Sequence, residues 1–128
     1  KKNNRLNIVA TEVFLVDAEM ETGGCIDALA LDESDAAPVL DLVDYKTGKG
    51  VYAEAVCQVA TYTVFTERLL SEAWGTPVLL GGAHILRVRN GVFVHRYWPR
   101  SMLTMPYNAF TWARALHAVR WDIERMVK

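Results

Sequence analysis

The sequence has little cysteine and no long apolar run, and each absence excludes a class of protein. Cys25 and Cys57 are the only cysteines in 128 residues. Two cysteines cannot form the disulfide framework of a small secreted domain, and no histidine cluster accompanies them to make a structural zinc site. No apolar stretch reaches the roughly 18 residues of a membrane-spanning helix, so no membrane partner is predicted. With no basic-then-apolar leader at its start, the chain is expected to be an excised intracellular domain, cytoplasmic or in a host cell if phage-encoded.

An excess of basic charge is also absent, which removes the simplest indicator of nucleic-acid binding. The net charge is −1, but it divides into −5 over residues 1–50 and +4 over residues 51–128. An acidic half that could hold cations next to a basic half that could hold phosphates is one reading, and ordinary solvated charge is the other. The 52% hydrophobic content suits a single compact domain over residues 1–128.

Hydrophobic periodicity predicts five strands and two helices. The predicted strands are 8–16, 25–31, 39–46, 78–89 and 92–98, and the predicted helices are 52–74 and 108–126. Short turns make the first three strands an antiparallel meander, and Asn90-Gly91 predicts a type I′ hairpin between the last two. In the last helix, Asn108 is the expected N-cap, and the residues expected to face the core are Phe110, Ala113, Leu116, Val119 and Ile123. This order predicts a mixed sheet flanked by helices, of α/β or α+β class.

The most informative stretch is the third predicted strand, which ends in an acid and a lysine. Alternation places Leu40, Leu42, Asp44 and Lys46 on one face. Two charged residues therefore continue a row of buried leucines. Because Asp and Lys are almost never buried unless paired or liganded, this strand end is predicted to carry a site.

A second acid lies on the neighbouring strand. Asp27 and Asp44 would sit side by side in the sheet, and two close carboxylates repel unless a cation lies between them. Oxygen ligands without His or Cys favour Mg²⁺ or Mn²⁺. A lysine beside such a metal can offset charge on a phosphate, so these residues point to metal-dependent phosphodiester hydrolysis. Taken singly, Asp44 and Lys46 could form a surface salt bridge, and Glu12 could be an edge-strand charge.

Three short motifs occur in order: Gly24-Cys25-Ile26-Asp27, Asp44-Tyr45-Lys46-Thr47-Gly48 and Gln58-Val59-Ala60-Thr61-Tyr62. This set resembles the G-x-x-D, D-Y-K-T-G and Q-x-x-x-Y motifs of the RecB-like exonuclease branch of the PD-(D/E)XK nuclease superfamily. The resemblance covers about residues 10–98. It implies a restriction-endonuclease-like αβββαβ core and a Mg²⁺-dependent deoxyribonuclease acting on DNA.

The resemblance also implies roles for individual residues. Asp27 and Asp44 would be catalytic metal ligands, with the Tyr45 carbonyl as a further ligand, and Lys46 would be the catalytic lysine. Gln58 and Tyr62 would orient the site or contact DNA. Glu12 occupies the position where this branch often has a catalytic glutamate.

Two departures from the family pattern are evident. The family's first helix is apparently missing, since only eleven residues precede Glu12. A helicase, a recombination partner or a second protomer would then complete the site. Several relatives hold an iron–sulfur cluster through four cysteines, and two cysteines predict no such cluster here.

The predicted DNA surface is a set of basic residues near the hairpin. Arg87, Arg89 and Arg96, with His95 and Arg100, are interleaved with Phe93, Tyr97 and Trp98. A hairpin with one solvated face explains the same pattern. The expected function is an exonuclease of DNA repair or recombination, and the alternatives are a structure-specific endonuclease or resolvase, or a non-catalytic DNA-binding or assembly module.

Overall fold

The computed structural model describes residues 6–17, 22–33, 38–47 and 53–127. The elements are β1 (Leu6–Asp17), β2 (Thr22–Asp32), β3 (Val39–Lys46), α1 (Ala53–Trp74), β4 (Gly82–Arg89), β5 (Val92–Pro99), a 3₁₀ turn (Arg100–Met102) and α2 (Thr104–Met126). The observed order of strands and helices is the predicted one: three strands, a helix, two strands and a helix. The α+β class with a mixed sheet is therefore confirmed.

The sheet has the strand order β1-β2-β3-β4-β5, so β3 is the central strand. Short connections make β1–β2, β2–β3 and β4–β5 antiparallel. Between β3 and β4 the chain crosses over through α1, and this pair is parallel, as a crossover connection requires. The predicted site at the end of β3 therefore lies on the central strand, which pairs with β2 on one side and β4 on the other.

The predicted hairpin between β4 and β5 is confirmed by its backbone. Asn90 has φ 51° and Gly91 has φ 75°. A type I′ turn needs positive φ at both central residues, and its twist matches that of the two strands. Likewise, α1 ends where the sequence predicts, because Gly75 (φ 67°) follows Trp74 immediately.

The main core lies between α1 and one face of the sheet. It is built from buried aliphatic and aromatic side chains of the strands, of α1 and of the segment after β5: Leu15, Ile26, Leu42, Ile85, Val59, Phe65 and Leu103. On the opposite face of the sheet there is a smaller cluster of Ala28, Ala30 and Val43, with Leu6 and Leu86 against it. We call these the α1 face and the opposite face.

One buried ion pair fastens α1 to the end of β5. The carboxylate of Glu67 accepts hydrogen bonds from Arg100 Nε at 2.8 Å and Nη2 at 3.0 Å. It also accepts the Leu80 backbone N–H at 2.9 Å. This geometry corrects the assignment of Arg100 to the DNA surface, because its guanidinium is engaged with α1.

The last helix differs from the sequence prediction at its start and along its apolar face. It begins at Thr104, with Leu103 as the N-cap, and not at Asn108. Beyond its first turns the apolar residues expected to be buried are exposed: Leu116 is 61% exposed, and Val119 and Ile123 are each 44% exposed. Periodicity shows that a helix has an apolar face, but it does not show what packs there.

No helix in the described part of the chain is both long and apolar enough to cross a bilayer.

Removing Arg100 tests how much the ion pair holds α1 on the sheet. We expect Arg100→Met to lower the free energy of unfolding by about 3 kcal/mol, because it leaves the Glu67 carboxylate buried without its cation. Arg125→Met removes a solvent-exposed partner of Asp122 and should change it by less than about 0.5 kcal/mol. Urea unfolding measures both values, and equal losses in the two variants would contradict this role.

Candidate active site

The candidate site begins where the β2–β3 ladder ends. Ala28 pairs with Val43, and one residue further along each strand are Asp27 and Asp44. There Asp27 Oδ2 accepts the Tyr45 backbone N–H at 2.7 Å, so a carboxylate continues the ladder in place of a backbone carbonyl. The two acids are therefore neighbours at the end of the central strand, as the sequence predicts.

Asp44 is buried, with only 8% of its surface exposed. Its Oδ2 atom lies 3.1 Å from Lys46 Nζ. Oδ2 is buried, and its described partner is this ammonium group. A buried carboxylate is costly unless a cation accompanies it, and Lys46 supplies one positive charge for the two acids.

The protonation of Asp44 reflects this environment. Its pKa is raised from 3.8 to about 6, first because burial disfavours the charged form and second because the Asp27 carboxyl is a hydrogen-bonded neighbour. Lys46 opposes the rise by favouring the carboxylate. The Asp44 carboxyl group therefore changes its protonation state closer to neutral pH than an exposed aspartate does.

Lys46 is held from α1. Its Nζ donates to Gln58 Oε1 at 3.0 Å, and Gln58 Nε2 lies 3.5 Å from the Tyr62 hydroxyl. Gln58 and Tyr62 are one helical turn apart, so they share the face of α1 that lies over the strand ends. The third motif of the sequence therefore positions the lysine of the second.

Gly24 explains the glycine of the first motif. A Cβ atom at this position would lie 2.7 Å from Tyr62 Cζ and closer still to the hydroxyl. Only glycine lets the Tyr62 ring pack against β2. Residues of all three motifs are in this way connected through one set of contacts.

A groove of about 810 Å³ opens beside Lys46, between α1 and α2. Most of its lining is apolar or aromatic: Ala53, Ala55, Cys57, Phe65, Ala109, Phe110 and Ala113, with Lys46, Gln58 and Tyr62 at the polar end. Its size lies within the range of small-molecule and cofactor sites. The polar end of the groove and the acid pair share Lys46.

Tyr45 contacts the acid pair directly, whereas Glu12 lies on the neighbouring strand β1. The N–H and C=O of a strand residue point to the same edge, so the Tyr45 carbonyl lies on the Asp27 side of β3. Glu12 lies opposite Asp27 in the β1–β2 register, between the Thr11–Ala28 and Val13–Ile26 pairs. Its backbone has φ 50° and its side chain is exposed, and it contributes no hydrogen bond to the described group. The role of Glu12 stays a prediction.

The predicted DNA-binding arginines fall partly beside the site. Arg87 lies opposite Lys46 in the parallel β3–β4 ladder, and Arg96 lies opposite Ile85 on β5. Alternation places both on the α1 face, with Lys46. The side chain of Arg89 lies outside the described residues.

The aromatics of the hairpin do not all share the surface of these arginines. Along β5, Phe93, His95 and Tyr97 alternate with Arg96 and therefore point to the opposite face. These three side chains therefore do not share a face with Arg96 on β5, and the role of the hairpin in DNA binding stays a prediction.

A second polar cluster, to which sequence reasoning assigned no role, lies on the opposite face. Asp32, Asp41 and His84 are all fully buried there. His95 Nε2 is 2.7 Å from His84 Nδ1. The pKa of His95 is lowered, first by burial and then by the neighbouring His84. The signal in the sequence was Asp41 itself, an acid between two leucines of a buried strand.

A scan against models of known protein families finds no match for this chain. A search of curated proteins likewise finds no match.

The raised pKa of Asp44 predicts how stability depends on pH without metal. The folded state holds this proton more tightly than the unfolded state, so the stabilising contribution is complete below about pH 4 and is lost as the pH rises through about 6. Asp44→Asn has no carboxyl group to titrate at this position, so it does not lose stability in this way as the pH rises. In EDTA we expect the variant to gain on the order of 1–2 kcal/mol over wild type between pH 4 and pH 7.

Urea unfolding at several pH values measures this difference. Asp122→Asn, at an exposed site on α2, is the matched control and should follow the wild-type profile. A wild-type profile for Asp44→Asn as well would contradict the raised pKa.

Proposed function

We propose that the protein is a divalent-metal-dependent nuclease that hydrolyses phosphodiester bonds of DNA. The observation that carries the proposal is the convergence of Asp27, Asp44 and Lys46 at the end of the central strand, where the Asp44 carboxylate is buried. The strand order β1-β2-β3, crossover helix, β4 is also compatible with the βββαβ part of the nuclease core implied by the sequence motifs.

The donor set fits Mg²⁺ or Mn²⁺. Two carboxylates and one backbone carbonyl, from Asp27, Asp44 and Tyr45, are hard oxygen ligands. The set leaves most coordination positions to water and substrate phosphate, as Mg²⁺ prefers. When bound, such an ion supplies an activated water and polarises the phosphate. Asp27 and Asp44 would hold it, and the raised pKa of Asp44 would make binding weaken as the pH falls below about 6.

Lys46 brings the charge that the chemistry needs. Its Nζ stays within reach of Asp44 and is held by the Gln58 amide oxygen. A cation fixed in this way can stabilise the negative charge that develops on a phosphate oxygen without reorganising first. Gln58 acts as a positioning residue because it accepts from Lys46, and Tyr62 lies against Gln58 in turn. Neither reaches the acid pair in the described contacts.

The backbone of the DNA would approach along the α1 face. Arg87 and Arg96 share that face with Lys46, on the β4–β5 side of the candidate site, where basic groups can contact DNA phosphates. The groove beside Lys46 offers an apolar wall to an unpaired base.

Replacing Lys46 tests the proposal. We expect Lys46→Ala to lower the rate of Mg²⁺-dependent cleavage of labelled linear DNA by more than about 100-fold, because one preorganised electrostatic group is lost. Gln58→Ala should give a smaller loss, since it leaves the lysine in place but less well held. Circular dichroism and thermal unfolding check that both variants remain folded.

The control and the contradicting outcomes are specific. Arg125→Ala, on the exposed end of α2, should cut like wild type. Undiminished cleavage by Lys46→Ala, or cleavage that persists in excess EDTA, would overturn the proposal. DNA binding without cleavage in Mg²⁺ or Mn²⁺ would favour the non-catalytic module, and parallel assays on linear strands and four-way junctions separate exonuclease from resolvase.

A further inference from the structure

We propose that Asp32, Asp41 and His84 form a second cation site, distinct from the candidate active site, that takes a borderline divalent metal such as Zn²⁺. We call this group the Asp-Asp-His cluster. Its three ligand atoms all lie within 4.8 Å of one another. The inference does not depend on nuclease activity.

The cluster lies on the opposite face of the sheet and joins three neighbouring strands. Asp32 ends β2, Asp41 is near the start of β3, and His84 lies on β4 opposite Val43. Asp41 and Asp44 are three residues apart on β3, so alternation sends their side chains to opposite faces. The two sites therefore have no ligand in common.

All three residues of the Asp-Asp-His cluster are buried. Asp41 and His84 are 0% exposed, and Asp32 is 1% exposed. The Nε2 atom of His84 is 2.6 Å from Asp41 Oδ2 and 3.8 Å from Asp32 Oδ2. Two carboxylates and one imidazole nitrogen that lie together in a water-poor place are the kind of ligand set that a divalent ion occupies favourably.

The imidazole of His84 is oriented as a metal ligand usually is. Its other nitrogen, Nδ1, is 2.7 Å from His95 Nε2, and its ring packs against Tyr97 with centroids 4.6 Å apart. Metal-bound histidines typically have their second nitrogen held by such an outer hydrogen bond, which fixes the tautomer. In the tautomer whose Nδ1 donates to His95, Nε2 would carry the electron pair that binds a metal.

The Asp41 carboxylate lies close to the backbone of Gly81. A Cβ atom at Gly81 would lie 2.6 Å from Asp41 Oδ1, so a glycine is required there. The Gly81 N–H donates to Leu40 O at 2.9 Å, and the Tyr97 hydroxyl donates to Gly81 O at 3.3 Å. Several elements thus cooperate to keep this acid inside the fold.

The ligand types select the metal. One imidazole with two carboxylates suits Zn²⁺ or a similar transition ion, whereas the all-oxygen site at Asp27 and Asp44 suits Mg²⁺. His84 Nε2 and Asp41 Oδ2 lie 2.6 Å apart. An ion bound between them would require the carboxylates to turn slightly outward to reach bond lengths of about 2.0–2.2 Å. A fully buried site has no room for substrate, and its role is to fasten β2, β3 and β4 together.

The first experiment uses Co²⁺ as a spectroscopic substitute for Zn²⁺. The chelator-treated chain is titrated with Co²⁺, and visible absorption is expected to saturate at one ion per chain with a nitrogen-ligand spectrum. Asp41→Asn and His84→Gln should lose that spectrum, whereas Asp44→Asn, in the candidate active site, should keep it. Zn²⁺ should abolish it by competition.

The second experiment measures stability. Zn²⁺ at a hundredfold excess over its dissociation constant should raise the melting temperature of wild type by on the order of 10 °C. Asp41→Asn should show no such rise and Asp44→Asn the full rise. If His84→Gln does not fold, Asp32→Asn takes its place.

Absence of a saturable Co²⁺ spectrum in wild type would overturn the proposal, and so would an unchanged spectrum in Asp41→Asn. Failure of the nuclease assays would not bear on it, because Mg²⁺-dependent cleavage and Zn²⁺ binding are read out separately.

Discussion

The burial of the Asp44 carboxylate on the central strand is the constraint on which the candidate site depends. β3 has neighbours on both sides and α1 above it, so an acid at its end cannot reach bulk water freely. Its charge is balanced by Lys46 two residues on, and Lys46 is held by Gln58 on the helix that follows. Lys46 therefore compensates the buried Asp44 on β3, contacts Gln58 on α1 and lines the groove between α1 and α2.

The same strand carries a second buried acid on its other face. Asp41 meets His84 there, as Asp44 meets Lys46 on the α1 face. Burying charge on both sides of one strand costs several kcal/mol per ion unless each is compensated. The two faces use different partners, a lysine with oxygen ligands and an imidazole with two carboxylates, and therefore suit different cations.

Much of the fold could be predicted because its signals are local. Strand alternation, the helical period of α1 and the Asn90-Gly91 turn each depend on residues close in sequence, and all three predictions are confirmed. The apolar face of α2 was wrongly assigned to the core, since its exposed leucine, valine and isoleucine look the same in sequence as buried ones. Arg100 was placed on a DNA surface because its partner, Glu67, is 33 residues away in the chain.

The sequence by itself determined the strands, the order of the elements and the set Asp27, Asp44, Lys46, Gln58 and Tyr62, because periodicity and motif spacing are written along the chain. Only the tertiary structure decided that Asp27 takes up the Tyr45 N–H, that Gly24 makes room for Tyr62, and that Asp32, Asp41 and His84 meet. These contacts join residues from separate elements. Their distances depend on strand register and helix docking, which the burial of the whole core decides and no local pattern encodes.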